Sequence, residues 1–152
     1  MIEALTTALL AGAAAVAGVS TDIGHSHSVR IDHHRGAIDA DYRSRVLITH
    51  KQIGSVAPGR VPSTLRCQWQ ANLVVDRDAR HAGGTTMART MTRDAALTGL
   101  RPGWCDGAKR AIAQEVAARE SVLRDHLVAM AADDHAVLTA EVERLHDPVR
   151  RG

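Results

Sequence analysis

Polar and apolar residues alternate with a period of two through much of residues 29–92, and from about Asp106 an apolar residue recurs every three or four positions instead. The first regime predicts strands and the second predicts amphipathic helices. Val29 and Ile31 alternate with Arg30 and Asp32, a short strand closed by a turn at His34-Arg35-Gly36. From Ile38 the even positions read Ile38, Ala40, Tyr42, Ser44, Val46, Ile48 and His50. The odd positions read Asp39, Asp41, Arg43, Arg45, Leu47, Thr49 and Lys51, so this strand has one core face and one wet face.

Pro58-Gly59 and Pro62 interrupt the chain. The next strand points Leu65, Cys67, Trp69, Ala71, Leu73 and Val75 one way, and Arg66, Gln68, Gln70, Asn72 and Asp76 the other, with Val74 out of pattern. Gly83-Gly84 predicts a turn, and Thr85 to Thr92 predicts a fourth, edge-like strand rich in Thr and Met. Arg101-Pro102-Gly103 closes the strand half.

Beyond it, Ile112, Val116, Leu123, Leu127 and Met130 form one helical stripe, broken only by a slot that Arg119 holds. Asp106 is the expected N-cap, or an acid suited to the helix dipole. Asp133-Asp134 is expected to interrupt this helix and cap a second one carrying Leu138, Val142 and Leu145, which Pro148 ends. Strands first and helices second predict an α+β domain: an antiparallel β-meander of three to four strands, followed by two C-terminal helices packed on one face. The expected organisation is a cleaved leader over 1–17, a His-rich segment with the first strand over 18–36, and one α+β domain over 37–152, its sheet spanning 37–94 and its helices 105–147.

Composition changes this picture in three ways. The chain of 152 residues has no Phe, one Tyr and two Trp, so its core is aliphatic and each Trp is expected to anchor packing. Nineteen basic residues against seventeen acidic ones give a net charge of +2, with no basic stripe or stacking aromatics to suggest nucleic acid. Nothing from Ala4 to Thr21 is ionisable, and Ala15-Val16-Ala17 is the small-residue pattern a signal peptidase reads. No Lys or Arg precedes that run, a departure from the usual basic start of such leaders.

The two cysteines carry the sharpest expectation. Cys67 faces inward on the strand beside Trp69, and Cys105 stands at the start of the first long helix. A helix start docked over that strand brings the sulfurs together. Closing their 38-residue separation stabilises by roughly 4 kcal/mol in the loop-entropy picture. No Cys-x-x-Cys spacing marks thiol exchange, so a structural disulfide of an exported protein is the first reading and a thiol enzyme centred on Cys105 an alternative.

His25, His27, His33 and His34 form a second candidate, an N-terminal imidazole set for zinc, copper or nickel. The plainer account is a solvated polar strand. Asp39 and Asp41 share their strand face with Arg43 and Arg45, and Asp125-His126 and Asp134-His135 are helical neighbours that point apart. Motifs for acyl transfer, zinc hydrolysis, phosphate loops and dinucleotides are absent, so no catalytic residue and no cofactor is expected.

Leu65-Arg66-Cys67-x-Trp69, Arg101-Pro102-Gly103-Trp104-Cys105 and the run Ala111-Ile112-Ala113-x-Glu115-Val116-Ala117-Ala118-Arg119 resemble small exported proteins of proteobacteria. That resemblance implies an envelope location and a paired-cysteine domain, and supplies no activity. The expectation is thus a periplasmic or secreted, non-enzymatic binding or structural protein with an envelope partner. Membrane contact would come only through the leader, if uncleaved.

Overall fold

A computed structural model describes residues 19–21 and 23–147. The expected leader with its cleavage point, and the helix-ending Pro148, lie outside the described residues. Five strands, β1 (Val19–Thr21), β2 (Ser26–Ile31), β3 (Ile38–Ile53), β4 (Arg66–His81) and β5 (Thr86–Pro102), precede two helices, α1 (Cys105–Ala118) and α2 (Glu120–Leu145). The three long strands form an antiparallel meander, and both β1 and β2 pair antiparallel with the free edge of β3. The α+β architecture with both helices on one face is as the pattern predicts.

The inner face is built by alternation. Ile38, Ala40, Tyr42, Val46 and Ile48 on β3, and Cys67, Trp69, Ala71, Leu73, Val75 and Ala79 on β4, are all buried. Ile112, Val116, Leu123, Leu127, Leu138 and Val142 meet them from the helices. At roughly 25 cal/mol per Å² of buried apolar area, this contact is the main force holding helices to sheet. α1 starts on β4 at Cys67, and His146, just past α2, stacks edge-on with His81 at the other end of that strand (centroids 5.3 Å apart). The two helices therefore run end to end along the sheet.

Four expectations are corrected. The helix is not interrupted at Asp133-Asp134: α2 continues from Glu120 to Leu145, because Asp134 is buried and ion-paired instead of capping. The break falls at Arg119, the slot in the apolar stripe, whose backbone N–H turns back to Val116 O. β5 runs to Pro102 instead of ending near Thr92, so the sheet reaches 102, not 94. A bulge hides that continuation: between the pairs Leu73–Arg93 and Ala71–Leu97, three β5 residues face the single residue Asn72. Ala95 there takes φ 49° and donates its N–H to Asn72 Oδ1 at 2.8 Å, and such a bulge also spoils an edge strand for pairing with other chains.

Trp69 is an anchor, but Trp104 is exposed, since it is the residue that turns the chain from β5 into α1. Trp104, not Asp106, occupies the N-cap position, and Asp106 sits in the first turn as the dipole-suited acid.

Candidate functional site

At the start of α1, β3 and β4 jointly hold the helix. Cys67 is fully buried and bonded to Cys105, with Cα atoms 4.8 Å apart, well within the disulfide range. Gln52 is the register partner of Cys67 on β3 and completes the clasp. Its Oε1 accepts the Cys105 backbone N–H at 2.7 Å, while its Nε2 donates to Arg66 O at 2.9 Å and Gly103 O at 3.1 Å. The helix N-terminus, which lacks a side-chain cap of its own, is thus capped from the sheet. Neither cysteine is a free thiol in this state, so the nucleophile that a Cys105 enzyme requires is consumed in the bond.

The four histidines separate into two groups. His27 on β2 and His25 just ahead of that strand are both half-buried. The His25 backbone N–H donates to Ser44 Oγ at 3.1 Å, and the His27 ring lies 6.4 Å from that of Tyr42. His33 and His34 instead converge on α2: their Nε2 atoms lie 3.0 and 3.3 Å from the same Glu143 Oε1. These three residues are the metal-capable group among the described residues, with ligand atoms all within 4.8 Å of one another. Glu143 was not legible in the sequence, being 109 positions from His34 and on another element.

The electrostatics of this cluster are already satisfied. Arg35 Nε sits 3.2 Å from the other Glu143 oxygen. Desolvation pushes the Glu143 carboxyl up, but the charge of His34, the bond and charge of Arg35 and the charge of His33 together hold it below the ordinary range. The Arg35 backbone N–H donates to His33 Nδ1 at 3.2 Å, which leaves His33 Nε2 to face Glu143. A metal on His33 Nε2 would have to share Glu143 with the guanidinium of Arg35.

A third cluster lies toward the His81 end of the sheet. Asp134 Oδ2 accepts from Arg77 Nη1 at 2.9 Å and from Tyr42 Oη at 3.1 Å, and its Oδ1 accepts from Arg89 Nη1 at 2.8 Å. Arg77 Nη2 also donates to Glu141 Oε2 at 2.8 Å. The Arg77 and Asp134 side chains have no solvent exposure. Two guanidiniums thus face two carboxylates, and the group is neutral overall. Tyr42 is driven far above the ordinary phenol value, first by burial and then by the Asp134 charge and hydrogen bond. The sequence did hold a signal: Arg77 is in phase with Val75 and Ala79, and Asp134 is spaced by four from both Met130 and Leu138.

Three of the remaining acid–base candidates each meet a separate partner. Asp39 pairs with Arg30, Asp41 accepts from Ser28, and His126 Nδ1 meets Arg93 Nη1 at 2.9 Å. His50 lies opposite Trp69, its pKa lowered by burial and then by Lys109. His81 Nδ1 accepts the Gly83 N–H at 3.2 Å.

Comparison with protein-family models, curated proteins and solved structures finds no match. No helix among the described residues is long and apolar enough to cross a membrane.

Proposed function

We propose that this chain is an exported envelope protein with a binding or structural role, stabilised by the Cys67–Cys105 bond. The observation that carries this reading is the clasp. A buried cysteine and a helix-initiating cysteine are joined where Gln52 also fastens the same helix, an arrangement that acts on stability and that oxidising compartments preserve. The uncharged run from Ala4 to Thr21, with its peptidase-like Ala15-Val16-Ala17, supports the same location. The non-catalytic part of the reading rests on the Arg77–Asp134 cluster, where Asp134 accepts three hydrogen bonds from the fold itself.

The intact mass of protein recovered from its native host, before and after reduction with alkylation, tests this proposal. A chain beginning near Gly18, with both sulfurs alkylated only after reduction, is the expected result. A full-length chain with two free thiols would defeat it.

A second reading, an envelope metal-binding protein, is favoured by the convergence of His33 and His34 on Glu143. Zinc titration separates the two. If metal binds, His33→Ala and Glu143→Gln weaken it, while His25→Ala and His27→Ala leave it unchanged. A wild-type protein that takes up no zinc eliminates this reading.

A further inference from the structure

The end of the molecule where α1 begins is unlike the other in both polarity and charge. The β3–β4 loop, the end of β5 and the first turn of α1 meet there: Thr64 N–H donates to Ser55 O, Gly103 N–H donates to Leu65 O, and Cys105 is bonded to Cys67. Four large apolar side chains on these segments, Val56, Val61, Leu100 and Trp104, are each between 59% and 64% exposed. Trp104 also borders a groove of about 400 Å³ with Arg101, Pro102, Gly107, Ala108 and Ala111. Apolar residues gathered at loop tips, when a buried core was available to them, mark a contact surface.

The loop, the adjoining strand ends and the start of α1 also carry Lys51, Arg60, Arg66 and Arg110, all exposed. None of the four enters an ion pair among the described residues. The acids of this end are already taken: Asp106 is held by Lys109, and Glu115 by Arg101 and Arg119. A local excess of about four positive charges therefore sits on a chain whose total is only +2. The opposite end is mixed, with Glu143 against Arg35 and Asp39 against Arg30.

From this juxtaposition we infer that the loop 54–65, Leu100 and Trp104 form a docking surface for an anionic lipid bilayer. Trp is suited to the headgroup level, the aliphatic tips enter the acyl boundary, and Lys and Arg meet the lipid phosphates. A nucleic acid would use the cations but has no use for Val56, Val61 and Leu100, which are aliphatic and cannot stack on bases. The inference concerns the folded end itself and does not rest on the export reading.

Binding of the full chain to vesicles of phosphatidylcholine alone, and of phosphatidylcholine with phosphatidylglycerol, tests it. Trp104 is the exposed one of two tryptophans, so its emission should shift to the blue with anionic vesicles and return on adding salt. Trp104→Ser should remove that shift and weaken co-sedimentation several-fold. The combined Lys51→Gln, Arg60→Gln, Arg66→Gln and Arg110→Gln variant should weaken it by at least about tenfold. Thermal melts and the mass of the intact disulfide confirm that each variant folds. Equal binding by every variant would assign membrane contact to residues 1–18 and overturn the inference. So would binding to RNA or heparin that Trp104→Ser leaves intact, or a dimer that this substitution abolishes, or no vesicle binding at all.

Discussion

Arg77 and Asp134 meet in a fully dry contact, Nη1 to Oδ2 at 2.9 Å, 57 residues apart in sequence and toward the His81 end of β4. Removing Asp134 leaves the dry Arg77 with Glu141 alone, strips Arg89 of its partner and takes the acceptor from the buried Tyr42 hydroxyl. Asp134→Ala should therefore destabilise by about 3–5 kcal/mol in urea unfolding. The apolar pair Arg77→Met with Asp134→Leu should recover much of that loss, since it abandons both desolvation costs together. A double variant no more stable than the single one would mean the cluster does more than pair charges.

Tyr42 gives the same cluster an alkaline limit. Its folded pKa is raised above the ordinary value of 10.0, so its contribution is complete below that value. It is lost as pH rises beyond, because the unfolded phenol ionises first and draws the equilibrium toward the unfolded state. Wild type should lose stability above about pH 10 more steeply than Tyr42→Phe, and the two should run parallel below it. Equal slopes would contradict the assignment.

Gly99 faces Trp69 across β4 and β5, and a Cβ there would lie 2.5 Å from the indole. The ring is buried and backed by the core, so it cannot swing aside. Gly99→Ala should cost about 1–3 kcal/mol by thermal melting. Adding Trp69→Leu should reduce that increment, because the smaller side chain vacates the space the methyl needs. Additive losses would show that Gly99 matters for another reason.

The clasp can be taken apart in two steps. Replacing both cysteines by Ala should cost about 2–5 kcal/mol. Gln52→Ala should cost about 1 kcal/mol through the orphaned Cys105 N–H. Hydrogen exchange in the first turn of α1 should rise in both variants, and unchanged protection there would refute the capping role of Gln52.

Much of the backbone plan was legible because burial imposes a period. The two-residue alternation of β3 and β4 and the stripe from Ile112 to Met130 name the core face directly, and with it the inward placement of Cys67. Where charged residues take core positions, the pattern misleads. Asp134 reads as a helix breaker because its partners Arg77, Arg89 and Tyr42 lie on other elements. The far half of β5 is hidden by a bulge whose extra residues break the alternation around Ala95.

Local periodicity thus determined the strand and helix order, the α+β class and the facing of the cysteines, since each depends on which side of one element meets water. Only the tertiary structure decided that Gln52 caps α1, that His33 and His34 turn to Glu143 and away from His25 and His27, and that Trp104 stays outside. Those outcomes depend on distances between residues far apart along the chain, which are set when the helices settle along the twisted sheet, and a period confined to one segment carries no record of them.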